Sequence, residues 1–219
     1  MSTAAPLKLA ILISGRGSNM EAIVRACQAG EIAVRPTVVV ADRPAAAGLV
    51  RARELGVETL AWSRESGVAF EQLLTDTLDA HQVELIALAG FMRVLSAPFV
   101  ARHLGRMLNI HPSLLPAYRG LHTHRRVLAA GDTVHGASVH FVTAELDGGP
   151  VVLQSKVAVE RGDSEATLAA RVLATEHVIY PRALGWLCAR RLVWRESGAW
   201  LDGRRLDAPI LEDFRARPV

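Results

Sequence analysis

The apolar run Leu7–Ile13 (LKLAILI) leads directly into Ser14-Gly15-Arg16-Gly17-Ser18-Asn19. A short, nearly continuous apolar run that ends in glycines reads as a strand buried on both faces, and the segment after the glycines must cover it as a helix. The same unit then repeats. Helical patterning over Asn19–Ala29 stops at Gly30, and Thr37–Ala41 is a second strand. Ala46–Leu55 is a second helix with Gly56 as its stop, Val57–Ala61 a third strand, Val68–His81 a third helix and Glu84–Leu88 a fourth strand. Such alternation predicts a parallel α/β sheet with helices on both faces. After Met107–Ile110, a short strand, the pattern changes. A loop over His111–Gly120 carries Pro112 and Pro116, and a helix spans His122–Ala130. Ala137–Thr143 and Val151–Val159 are two strands joined by a connection too short for a helical crossover, so they are expected to be antiparallel. Asp163-Ser164 caps a long helix over Glu165–Cys188, and a hairpin over Leu192–Trp194 and Ala199–Leu201 follows. The reading is one domain over 1–219. Its first half, about 7–105, is nucleotide-binding-like, and its second, about 106–202, holds other chemistry.

Composition narrows the partners. Of 219 residues, 50% are apolar, and the formal net charge is +3. The densest basic cluster, Arg190-Arg191 with Arg195, is short, whereas nucleic-acid binding needs a patch or stripe of Lys/Arg. The expected substrate is small and anionic, not a polymer. No apolar run is long enough to span a membrane. Met1–Pro6 lacks the charged start and apolar core of a signal peptide. Cys27 and Cys188 sit in apolar, helix-like stretches with no metal-ligand spacing, as reduced thiols of a cytoplasmic protein would.

Two motifs carry chemistry. The glycines of Ser14–Asn19 let the backbone approach a ligand, and a helix N-terminus favours an anion. A dinucleotide site is the competing reading, since Asp42 at the end of the second strand could bind a ribose. The third glycine of that fingerprint is replaced by Met20, and no Walker lysine is present. The second motif is Asn109-Ile110-His111 at a strand end, with Asp147 before Gly148-Gly149. Residues two apart on a strand project together. Amide, imidazole and carboxylate suit acyl transfer: two donors for an oxyanion, and a carboxylate to support the imidazolium. Taken singly, each is an ordinary turn or cap residue, and only the combination points to catalysis. No nucleophile elbow is apparent, so transfer should be direct. His122, His124, His135 and His140 invite a metal reading, but His122-Thr123-His124 does not match H-E-x-x-H and no cysteine pair assists, so no metal is expected.

Together these stretches resemble the folate-dependent phosphoribosylglycinamide (glycinamide ribonucleotide) formyltransferases. The resemblance rests on Ile13–Asn19, Leu88–Leu95, Leu108–Pro116, Gly120–His124, Ser138–Val142, Glu145–Pro150 and Glu176–Pro181, and it runs from about Lys8 to Leu201. It implies a Rossmann-like formyltransferase fold and formyl transfer from 10-formyltetrahydrofolate to the amine of N1-(5-phosphoribosyl)glycinamide, the third step of purine synthesis. It also implies a substrate phosphate at Gly17, Ser18 and Asn19, with Glu176 and His122 on the ribonucleotide. Met92, Arg93, Val94 and Leu95, with Asn109, are implied as the folate wall. Asn109, His111 and Asp147 are implied as the catalytic centre, with Ser138 in the same network. Homodimers occur among such enzymes. One departure concerns the arginine such enzymes carry toward the folate tail: Arg64 is displaced, and Gly67 falls at its position. The alternatives are a formyltetrahydrofolate deformylase, which usually has an extra N-terminal domain, a methionyl-tRNA formyltransferase, which carries a further C-terminal one, a nicotinamide dehydrogenase and a non-enzymatic nucleotide-binding module.

Overall fold

The computed structural model describes residues 5–62, 68–196 and 198–215. Arg64, Gly67 and Ser197 lie outside them. An eight-stranded sheet has the order β11-β7-β6-β5-β4-β1-β2-β3. Its parallel part consists of β1 (Leu7–Ile13), β2 (Val34–Ala41), β3 (Glu58–Ala61), β4 (Leu85–Leu88) and β5 (Met107–His111). β6 (Val134–Phe141) is antiparallel to both β5 and β7 (Val151–Ala158), as the short connection requires. The helices are α1 (Ser18–Gln28), α2 (Gly48–Glu54), α3 (Val68–Ala80), α4 (Ala97–Arg102), α5 (Thr123–Ala130) and α6 (Glu165–Cys188).

Strand alternation divides the core. Leu9, Ile11 and Ile13 of β1 join the cluster that includes Ile23 of α1 and Val172 and Tyr180 of α6. Ala10 and Leu12 point the other way, to Phe70 and Leu74 of α3 and Phe99 of α4. α6 starts with a capping box between Ser164 and Thr167. The fully buried Tyr180 brings its hydroxyl to 3.0 and 2.9 Å from the Leu88 and Leu108 carbonyls, fixing α6 to the ends of β4 and β5.

Two elements escape the sequence pattern. α4 is six residues long with Pro98 in its first turn, too short to display a period. β11 (Ile210–Asp213) joins the far edge, parallel to β7, and most of its residues stay exposed, so no burial alternation marks it. The expected tail hairpin is present as β8 (Leu192–Arg195) and β9 (Gly198–Leu201), and β10 (Arg204–Arg205) extends it.

Strand order reverses between β1 and β4, because the chain leaves β1 toward β2 and later returns on its other side. In open α/β sheets that crevice, beyond the strands' carboxyl ends, is where ligands bind. Here the loops after β1 and β4 are tied together: Ser14 N–H donates to the Gly90 carbonyl at 3.1 Å, and Met92 N–H to Ser14 Oγ at 2.8 Å.

Candidate active site

At the β1 end, Gly17 sits at φ +75° as the N-cap of α1, with no side chain capping the helix. A Cβ there would lie 2.9 Å from Gly48 Cα, so two glycines let the loop cross the start of α2. The first N–H groups of α1 are left to face a cavity of about 320 Å³ lined by Ser14–Asn19, Arg43, Ala89, Gly90 and Met92. Asn19 is buried and donates through Nδ2 to Glu176 at 2.6 Å, while its Oδ1 has no partner among the described residues. Burial pushes the Glu176 carboxyl above its usual range, and the Asn19 bond offsets part of that. Glu176 therefore stands behind Asn19 and does not itself line the cavity. Asp42 is fully buried, and its neighbour Arg43 lines the cavity instead, so the dinucleotide reading loses its ribose ligand.

Gly90 and Met92 also line a central cleft of about 450 Å³, together with Arg93, Val94, Asn109, His111, Gly120–His124, Leu146, Asp147 and Glu165. A third, smaller cavity of about 90 Å³ lies beyond, formed by Leu88, Phe91, Arg93–Leu95, Val100, His140 and the 142–147 loop. Asn109 and Asp147 line both, so they stand at the junction. The three cavities form one trough. A larger groove of about 800 Å³ between α1 and the end of α6 holds none of these side chains.

Geometry at the junction is specific. His111 Nε2 donates to the Tyr118 carbonyl at 3.0 Å, which leaves Nδ1 facing Asp147 Oδ2 at 3.5 Å. Asp147 adopts φ +49°, and its carboxylate accepts the Gly120 N–H at 2.9 Å. A Cβ on Gly149 would overlap the Phe141 carbonyl, so this turn presses against β6 as only glycine allows. Asn109 Nδ2 donates to His140 Nε2 at 3.1 Å, and the opposite ring nitrogen of His140 meets the Phe141 carbonyl at 2.9 Å. A carbonyl only accepts, so the His140 proton is on Nδ1 and Nε2 is the acceptor. Burial lowers His140 to about 4, which keeps it neutral in that role. One N–H of the Asn109 amide is thus used, and the second remains for a ligand.

Ser138 faces His111 in the β5–β6 register, but among the described residues its hydroxyl makes no hydrogen bond to this group. Its hydroxyl donates to the Ser113 carbonyl at 2.6 Å and accepts from Leu115 N–H and Gln154 Nε2 at 3.0 and 2.8 Å, holding the loop that follows His111. His122, at φ +58°, starts α5 and lines the central cleft. Met92, Val94, Leu121 and Leu146 are exposed apolar side chains along the trough, and the Arg93 guanidinium lies 4.5 Å from the Phe70 ring centroid. Leu95 is buried below them. Two lining residues enter with the structure: Arg43, and His140, which the sequence offered only as a metal candidate. His140 directly faces Asn109 across the β5–β6 ladder, a neighbour that only the sheet register reveals. Among the described residues no group of three or more His, Cys, Asp or Glu is arranged to hold a metal, and no helix is long and apolar enough to cross a membrane.

The sequence model of the family described as formyl transferase matches residues 7–184. Phosphoribosylglycinamide formyltransferase of Escherichia coli K12 is 49% identical over 203 residues, covering 91% of this chain and 96% of that protein. The protein of the same name from Haemophilus influenzae is 41% identical, covering 91% and 95%. The solved phosphoribosylglycinamide formyltransferase of Coxiella burnetii, in complex with CHES, superposes with a TM-score of 0.90 at 44% identity, covering 94% of this chain and 99% of that one. A Pseudomonas syringae formyltetrahydrofolate deformylase shares the fold at 19% identity, TM-score 0.84, with this chain covering 66% of its length.

Proposed function

The chain belongs to the formyl transferase family, and from that premise we propose how its trough carries out the reaction. It is an enzyme that transfers a formyl group from a formyl folate to the amine of phosphoribosylglycinamide, in purine biosynthesis. The observation that carries the detailed reading is the junction. Asn109 and Asp147 stand between a cleft open to the anion-binding loop and a small cavity walled by Phe91, Val94 and Leu95.

In this reading the ribonucleotide phosphate sits on the Gly17, Ser18 and Asn19 backbone, where a helix N-terminus supplies unsatisfied N–H groups. Glu176 holds Asn19 in place, and His122 borders the ribonucleotide. The donor is 10-formyltetrahydrofolate. Its pterin enters the smaller cavity, and its aromatic body lies along Met92, Arg93, Val94 and Leu95, where Met92 and Val94 expose apolar surface for it to cover.

The neutral amine attacks the formyl carbon, its nitrogen bonds to that carbon, and the carbonyl π pair moves to oxygen. The second N–H of Asn109 and the Nδ1–H of protonated His111 donate to that oxyanion. Asp147, anchored by Gly120, faces the same Nδ1. The tetrahedral centre then collapses, the carbon–N10 bond breaks, and the proton lost by the amine ends on N10, relayed through the His111–Asp147 pair. The Tyr118 carbonyl, not Asp147, fixes the ring's orientation. Asp147 is therefore left to serve the charge on the reacting side.

We read both halves, about 7–105 and about 106–202, as one formyltransferase domain, supported by the single sheet that spans them. Free Cys27 and Cys188 support a cytoplasmic setting. A homodimer is part of the same reading, and sedimentation equilibrium would register it as twice the chain mass. Removing one oxyanion donor costs roughly 2.7–4 kcal/mol of barrier. Asn109→Ala or His111→Ala should thus lower kcat on the order of a hundredfold or more while the thermal melt is kept. Near-normal turnover in either variant would remove that residue from the mechanism.

A further inference from the structure

Arg43 stands two residues after the end of β2, yet it reaches the cavity formed by Ser14–Asn19. Many guanidinium groups of this chain are engaged: Arg25 and Arg51 pair with Glu21, Arg171 with Asp163 and Arg191 with Asp202. Arg43 forms no side-chain hydrogen bond or ion pair among the described residues, and it is exposed. Arg16, on the rim of the same cavity, is likewise exposed and without such a partner. A guanidinium beside fixed N–H donors is matched to a doubly charged oxyanion, because its planar fork gives two parallel bonds to one phosphate. A second observation marks the cavity as a ligand site: Asn19 lines it and is only 7% exposed, yet its Oδ1 finds no partner among the described residues and is left to accept from a ligand hydroxyl beside the phosphate.

We infer that Arg43 is a specificity-determining residue of this enzyme, closing over the substrate phosphate opposite the α1 N-terminus and making the enzyme select the phosphorylated glycinamide over its riboside. This rests on the phosphate-cavity reading above. The backbone N–H groups position the phosphate, and Arg43 adds a full positive charge to their partial ones. Its role is confined to binding, because the phosphate keeps its charge throughout the reaction. Uniform binding changes KM and leaves kcat alone.

The experiment compares wild type, Arg43→Ala and Arg43→Lys with phosphoribosylglycinamide, with its dephosphorylated riboside, and with inorganic phosphate as a competitor. Arg43→Ala should raise KM for the ribonucleotide by ~10-fold or more, a typical loss for a charge-assisted bond, with kcat within about twofold. The riboside's kcat/KM should be unchanged, and inhibition by inorganic phosphate should weaken in parallel with the KM. Arg43→Lys, a point charge without the fork, should fall between. Because the side chain holds no other partner among the described residues, the variant's melt should match wild type. An equal loss with ribonucleotide and riboside would overturn the inference, as would an unchanged KM. If wild type itself prefers the ribonucleotide no more than the riboside and ignores inorganic phosphate, the phosphate cavity fails as a whole, which is a different result.

Discussion

Replacing His140 with leucine removes the acceptor that aims the Asn109 amide while keeping an apolar volume in a site only 3% exposed. Two bonds go: the 3.1 Å one to Asn109 and the 2.9 Å one to the Phe141 carbonyl. Leaving a buried polar group unsatisfied costs about 1–3 kcal/mol. Full loss of an oxyanion donor costs roughly 2.7–4 kcal/mol, which is the ceiling if the freed amide turns wholly away. The expected fall in kcat is therefore at least about fivefold, with a ceiling of roughly 100- to 900-fold. KM for the ribonucleotide, whose phosphate is held at the other end of the trough, should move by no more than about twofold. His140→Gln separates positioning from packing, since its amide can donate to Phe141 and accept from Asn109 at once. It should recover most of the lost kcat. Folate turnover at saturating ribonucleotide, followed by absorbance, reads the effect, and a circular-dichroism melt verifies the fold. A folded leucine variant with kcat within twofold of wild type would refute the claim that His140 orients the amide.

Acid should weaken the fold through histidines buried neutral. Burial lowers His103, His135 and His140 to about 4, while in the unfolded chain they titrate near 6.5. Their contribution is complete above pH ~6.5 and is lost as the pH falls toward 4, because only the unfolded state takes up protons in that window. For the nearly fully buried His140 this amounts to about 2 kcal/mol between pH 7 and 5. Urea unfolding at the two pH values should show that drop, and His140→Gln should make it shallower; equal slopes would contradict it. Gly149→Ala forces a Cβ into the Phe141 carbonyl, so the Asp147 turn must shift. A melting temperature lower by ~3–10 °C with strongly reduced kcat is expected, and a normal melt with full activity would show that the turn can yield.

Much of this was legible in the sequence because backbone chemistry is local. Leu7–Ile13 and the glycines after it dictate a buried strand and a helix start wherever they occur, and the β5–β6–β7 antiparallel set follows from a connection too short to cross over. Asn109 and His111 share a strand face, so their pairing could be read; Asp147, marked by the Gly148-Gly149 turn, joins them as a matching carboxylate, and the resemblance strengthens that grouping. What stayed hidden depends on tertiary neighbours. His140 is an unremarkable strand histidine until Asn109 lies across from it, and Arg43 looks like a surface cation until the pairing of β2 with β1 brings it to the cavity of the glycine loop. The same holds for the Tyr118 carbonyl, a backbone group no residue type announces. Arg64 and Gly67, the candidates for the folate tail, fall outside the described residues.

The most direct test is a spectrophotometric assay of 10-formyl folate consumption by the purified chain, run with and without phosphoribosylglycinamide. Consumption only when the ribonucleotide is present, matched one for one by formylated product, is the predicted result. Consumption at a similar rate in its absence would make the chain a hydrolase and contradict direct transfer to the amine.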